Sequence, residues 1–429
     1  MSRPPLAGEA IADHDLRWYL RQHRALGPIF EADVAGRRTV VLAGTEANVF
    51  MARAGGSVLG HHVFWQDFDR EPAAERVVRA GEANRWRRSA LAPGYSRGRI
   101  RSRLHELVAM TGRAMREWEP GRRVPFYAWT QRLVAEQLGE MLTHHGPGER
   151  FPDLVTFMHA NMAMLTGARP PSTLRSPEYV AARDGVFALA RSVVEDHRGP
   201  RSPGREPDLV DDVIAAAAGR GRALTDEQLA HVVLGPFLAG LDTVSTMACH
   251  LLHALLTHPA ALARARAEAA ALLAPGLTWR RLGELRTLQG AAMETLRLRP
   301  LAIGHDCEAT RAFTFAGRGV EAGSPVFVAM AVPHFLPALF PDPERFDPDR
   351  FHPPRSEHRR RGAYAPFGLG DRACLGSGVA LAQLVITVGA VLARFEVALD
   401  GPGPVLPAPP CAASPAVMHG LRVRVLAER

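Results

Sequence analysis

Apolar positions along this chain recur mostly at three- and four-residue spacing, and Pro and Gly cut that rhythm into separate runs. The spacing predicts helices over about 85–117, 127–144, 151–166, 177–197 and 207–218, with a polar Pro/Gly loop over 198–206. Another helical run covers about 285–298. The longest begins at Thr225, where Thr225 and Gln228 have the spacing of a capping box, and Pro259 stops it after His258. At ~1.5 Å per residue that helix is roughly 50 Å long, enough to cross a whole domain. Pro236 inside it removes one backbone donor, which predicts a kink. A second rhythm marks short strands: Ile29–Val34 and Thr39–Leu42 flank Ala35-Gly36-Arg37-Arg38 and read as a hairpin. Further strands are expected near 312–315 and 326–329. No internal repeat and no composition shift marks a boundary, so residues 1–429 are expected to form a single domain, mainly α with a small β region.

Composition changes this picture little. The chain has 429 residues, 47% hydrophobic and 22% charged, which suits a normal globular core. All 52 basic residues are Arg, and the formal net charge is +8. The arginines are scattered without interleaved aromatics, so nucleic acid is not an expected partner. Cys249, Cys307, Cys374 and Cys411 lie far apart with no CxxC pair, which argues against a zinc ribbon or a disulfide scaffold. Leu375–Ala393 carries no charge and is long enough to span a bilayer. Its internal Gly376, Ser377, Gly378, Gln383 and Gly389, without flanking anchors, favour a buried core helix. The N-terminus lacks the apolar core of a signal peptide, so the expectation is a cytoplasmic protein with no membrane partner.

Three motifs carry chemistry. Phe367-Gly368-Leu369-Gly370-Asp371-Arg372-Ala373-Cys374-Leu375-Gly376 is a glycine-punctuated loop that presents one Cys just before a long apolar helix. Such a loop can aim backbone N–H groups at the sulfur and favour its thiolate, although a lone Cys is more often a buried structural one. Glu294 and Arg297 lie three apart and share a helical face, as a plain salt bridge would. In the long helix, Ala239-Gly240-Leu241-Asp242-Thr243 sets an acid and a hydroxyl into an apolar stretch, where they are costly unless satisfied or used.

Together these stretches resemble the cytochrome P450 family: the loop is similar to its FxxGxRxCxG heme loop, Glu294–Arg297 to its ExxR pair, and 239–243 to its AGxDT segment. The resemblance covers roughly residues 15–425, with 50–80 and 145–225 matching only as variable regions. It implies heme b held by Cys374, with Phe367, Gly368 and Gly376 shaping the loop and Ala239 and Gly240 beside the porphyrin. Arg372 matches a propionate-binding position, and so does Arg88, although Asn84 replaces the His that usually precedes it. Cys307 stands where another propionate Arg is common, and His305 is a candidate substitute. Glu294, Arg297 and Arg345 would form a structural network behind the loop. Asp242 would belong to proton delivery, and Thr243 to the oxygen-binding position.

The implied activity is monooxygenation, hydroxylating or epoxidising a medium-sized hydrophobic substrate such as a terpenoid or polyketide. A pocket is expected from the 55–80 loop, Phe237, Ala239, Val244, Leu301–Gly304 (with Leu301 and Ile303) and Val417. The chain carries no flavin or NAD fingerprint, so electrons are expected from a ferredoxin and a ferredoxin reductase, with the enzyme a monomer. Peroxide-driven or coupling chemistry, a heme protein without catalysis and a basic helical binding module are the alternatives.

Overall fold

The computed structural model describes residues 3–60, 81–165, 169–200, 204–274, 277–401 and 406–429. Its helices are Leu16–Leu26 (α1), Thr45–Phe50 (α2), Gly56–Val58 (α3), Gly81–Leu91 (α4), Arg97–Ser102 (α5), Leu104–Ala114 (α6), Phe126–Thr143 (α7) and Phe151–Leu165 (α8). They continue as Pro177–Arg198 (α9), Leu209–Ala218 (α10), Asp226–Leu256 (α11), Pro259–Leu273 (α12), Trp279–Glu284 (α13), Arg286–Leu298 (α14), Ser377–Arg394 (α15) and Pro415–Met418 (α16). The run expected over 85–117 is broken. Pro93 sits in a short 3-10 turn, and the Ser96 hydroxyl then caps α5 by accepting from the Arg99 N–H.

The first sheet joins Ile29–Val34 (β1), Arg37–Ala43 (β2), Leu59–Gly60 (β3), His305–Ala309 (β5) and Pro325–Ala329 (β8) in the order β1-β2-β8-β5-β3. Arg123–Pro125 (β4) pairs with Arg422–Glu428 (β10) and, through it, with Phe395–Leu399 (β9); Phe313–Phe315 (β6) pairs with Arg318–Val320 (β7). The β1–β2 turn is tighter than expected. Ala35 (φ 50°) and Gly36 (φ 76°) alone form it, and Arg37 already pairs with Val34. Strand β5 carries no strand signal in its sequence, because HDCEA is polar and the strand is held by pairing with β8 rather than by an apolar alternation.

Helix α11 is the axle of the fold. The Thr225 hydroxyl accepts from the Gln228 N–H (3.2 Å) and Gln228 Oε1 accepts from the Thr225 N–H (3.0 Å), completing the expected capping box. The helix stays α-helical through Pro236. It packs on α7, α9, α14 and α15. The uncharged stretch after Cys374 is α15, two thirds of it buried and packed against α11, α12 and α6, as a core helix should be.

Candidate active site

The loop ahead of α15 takes its shape from two glycines. Gly368 (φ 73°) and Gly370 (φ 62°) adopt left-handed backbone, and a Cβ on Gly370 would lie 2.6 Å from the Met51 carbonyl oxygen. The Cys374 N–H donates to the Phe367 carbonyl (2.7 Å), which closes the loop and turns the sulfur outward. Of the four cysteines only Cys374 is exposed, yet it sits deep enough for burial to push its thiol up. Those two facts together describe a sulfur facing a space inside the molecule. The Gly376 N–H and the Arg88 charge pull the other way, toward the thiolate.

Arg88, in the last turn of α4, donates to the Ala373 carbonyl beside that sulfur. Arg372 is half-buried nearby, and burial followed, for Arg372, by the Arg88 charge lowers its pKa; Arg88 is lowered chiefly by burial. Among the described residues neither guanidinium has a carboxylate ion-pair partner. Two such cations held close together ask for an anion between them. Half-buried His305 lies against the loop, its Nε2 3.2 Å from where a Cβ on Gly368 would stand. Burial and the Arg372 charge lower its pKa, so it offers a neutral N–H rather than a charge.

The middle of α11 is the second half of the site. Ala239 and Thr243, one turn apart, are exposed, although the helix around them is largely buried. The Thr243 hydroxyl donates to the Ala239 carbonyl (2.7 Å), so it is satisfied within its own helix while the residue remains exposed. The Asp242 carboxylate points to another face. Its Oδ1 accepts from Gln131 Nε2 (2.6 Å) and from the Tyr127 hydroxyl (3.1 Å), both on α7, and lies 3.5 Å from His159 Nε2 on α8. Burial works to raise the Asp242 pKa, but the hydrogen bonds from His159, Gln131 and Tyr127 outweigh it and hold the carboxyl below its usual range.

Behind the loop lies a closed ionic network. Arg297 Nε donates to Glu294 Oε2 (2.7 Å), and its Nη1 donates to the His334 carbonyl (2.6 Å). Glu294 Oε1 also accepts from Arg350 Nε (3.1 Å) and from the Asp347 N–H (3.0 Å). Arg350 continues to Glu357 Oε2 (3.1 Å), and the Arg297 guanidinium stacks 5.0 Å from the Phe340 ring centroid.

The family model for cytochrome P450 matches residues 13–415. The chain belongs to the cytochrome P450 family. A cytochrome P450 of Mycobacterium tuberculosis (strain H37Rv) is 26% identical over 394 residues, covering 87% of this chain and 89% of the relative. The cyclooctat-9-en-7-ol 5-monooxygenase of Streptomyces melanosporofaciens is 28% identical over 333 residues, covering 74% of this chain and 72% of the relative. Among solved structures, the retinoic acid-bound cyanobacterial CYP120A1 superposes with a TM-score of 0.79 at 22% identity, covering 99% of both chains. As a cytochrome P450 the protein is a heme-dependent monooxygenase, an oxidoreductase with the mainly α fold described above.

For this cytochrome P450 several expected positions are corrected. The third member of the ExxR network is Arg350, not Arg345. Arg345 is exposed and supplies only its carbonyl, to Arg297 Nη2 (3.5 Å) and Arg350 Nη2 (3.4 Å). Phe237 and Val244 do not line the pocket. With Leu241 they form an apolar i, i+4, i+7 stripe that buries in the core, a quarter-turn or more from Ala239 and Thr243. Gly240 also faces away from a cofactor, because a Cβ there would collide with Leu138 of α7; its glycine lets the two helices approach. Ile303 is buried in the sheet-side core, whereas Leu301 and Val417 are half-buried as a pocket wall would be. Residues 61–80 of the expected 55–80 wall lie outside the described residues. Tyr127, Gln131 and His159 escaped the sequence reading entirely, since an ordinary amphipathic helix gives no sign of which polar residue meets a distant carboxylate.

Proposed function

We propose that Cys374, as thiolate, would hold the heme iron and that Arg88 and Arg372 would bind the heme carboxylates. One observation carries this reading: an exposed thiol sunk inside the molecule, next to two half-buried guanidiniums that lack carboxylate partners among the described residues. The donor set fits the group. A soft sulfur suits iron, a bound cation would deprotonate the thiol despite burial, and two cations suit two propionates. Neutral His305 adds an N–H donor beside them.

Bound heme supplies oxygen activation and insertion of one oxygen atom into substrate, using two electrons per turnover. The chain supplies the surroundings. The Gly376 N–H steadies charge on the sulfur, Thr243 presents a hydroxyl to the cavity, and Asp242 stores and passes protons. Ala239, small and exposed, leaves room on that face, while Leu301 and Val417 bring apolar wall. We infer a medium-sized hydrophobic substrate, of the terpenoid class. Support comes from the apolar lining and from the relative named for oxidation of cyclooctat-9-en-7-ol. Electrons come in this reading from a ferredoxin and its reductase.

Cys374→Ala tests the core of this reading. The reduced, CO-treated wild type should show the Soret band diagnostic of thiolate ligation, and the variant should lose it. Retention of the band in Cys374→Ala, with loss in a Cys249, Cys307 or Cys411 variant, would overturn the assignment. A library of terpenoids screened for a low- to high-spin shift tests the substrate class.

A further inference from the structure

Asp242 is tied to solvent by a route the motif does not contain. His159, on α8, is half-exposed (39%) while Asp242 is mostly buried (16%), so the imidazole stands between the carboxylate and water. His419, just past α16, is exposed; its ring centroid is 5.5 Å from that of His159 and 4.4 Å from that of Tyr127. The groups facing His159 among the described residues are Asp242 from α11, Tyr127 and Gln131 from α7, and His419. Only Asp242 is anionic. Its hydrogen bond raises the His159 pKa against the effect of burial, whereas burial and the His159 charge lower that of His419. The pairing therefore favours the imidazolium–carboxylate form of His159 and Asp242, with the exposed His419 imidazole next to it biased toward its neutral form.

We propose that His159 is the proton-entry group of this enzyme, loading Asp242 from solvent, with His419 at the mouth of the route. This rests on the reading of Asp242 as the residue that passes protons toward Thr243. In the loading step the His159 Nε2–H bond breaks and an Asp242 Oδ1–H bond forms, so both charges vanish. The neutral carboxyl is then no longer held by an ionic partner and is able to rotate toward the Thr243 side of α11. Neutral His159 regains a proton from water. His159 is a positioning and relay residue here, since it touches Asp242 and not the reacting atoms.

The pH dependence has a definite sign. His159 carries its proton below its raised pKa and loses it as pH rises through that value, so proton delivery weakens on the alkaline side. With a surrogate ferredoxin and reductase, peroxide released per NADPH consumed should rise in the wild type as pH is taken up past the ordinary histidine range. His159→Gln keeps a hydrogen-bond donor but carries no transferable proton. Its peroxide yield should be high and flat with pH, with delivery slowed roughly 100-fold, the lower range for a lost general acid. Independently of turnover, the His159 ring proton in the diamagnetic CO-bound protein should titrate above the ordinary histidine value, and should lose that elevation in Asp242→Asn. A wild-type pH profile in His159→Gln, with Asp242→Asn uncoupled, would overturn this inference alone. Unchanged coupling in Asp242→Asn would instead remove the proton-path reading on which it rests.

Discussion

Glu294 shows how much a single side chain decides in this molecule. Both its oxygens are used, one by Arg297 and the other by Arg297, Arg350 and the Asp347 N–H, with the ionic groups at or below 1% exposure. A buried network of this kind is stable only while complete, because any missing partner strands a desolvated charge. Arg350→Gln should therefore cost about 3–5 kcal/mol and leave little heme-loaded protein. Arg345→Gln should stay within about 0.5 kcal/mol, since only its backbone carbonyl takes part. Thermal unfolding and the heme-to-protein absorbance ratio of the two variants check this. Equal losses would return Arg345 to the network. The cysteines obey the same logic. Burial drives the Cys249 thiol up and pushes that of Cys307 up to about 12, which keeps both as inert core groups, while Cys411 is tied to the Arg299 guanidinium and the Pro407 carbonyl and Cys374 is the exposed thiol.

At the scale of elements, long helices with strong periodicity and explicit stops were legible in the sequence, and α7, α9, α10 and α11 lie within two residues of their expected bounds. Caps and prolines act locally, so they can be read locally. Strand β5 and the identity of Arg350 were not legible, because each is chosen by partners distant in sequence: β8 for the strand, Glu294 across 56 positions for the arginine. The stripe of Phe237, Leu241 and Val244 is legible from its helical spacing, which places all three in the core. Gly240 illustrates the same point energetically. Alanine there would gain up to about 1 kcal/mol of helix propensity but must displace Leu138 from the α7–α11 contact. Overpacking of this sort costs typically ~1–3 kcal/mol, so Gly240→Ala should lower the melting temperature. Adding Leu138→Ala should cost less on the Gly240→Ala background than on the wild type, and additive losses would show that the two side chains do not meet.

For the molecule as a whole, the open question is how electrons arrive at a net charge of +8. The segment entering the Cys374 loop carries Arg359, Arg360 and Arg361, and all three are exposed. They are not equivalent. Arg360 donates to the Leu339 carbonyl (3.2 Å) and that of Ala338, so its guanidinium helps hold the loop. Arg359 and Arg361 are left as the charges that an acidic donor would meet, and exposed charges of this kind act on encounter rates more than on final affinity. Their influence should fade over a Debye length, which shrinks from ~30 Å at 0.01 M salt to ~8 Å at 0.15 M. Changing both to Gln should therefore slow heme reduction by an acidic ferredoxin at low salt and converge with wild type as salt rises. The CO spectrum and substrate-induced spin shift should stay unchanged, since neither residue touches the pocket. Arg360→Gln is the control, predicted to lower thermal stability more than the salt slope. Reduction rates that match wild type across the whole salt series would make the run a solvated loop and move the docking surface elsewhere.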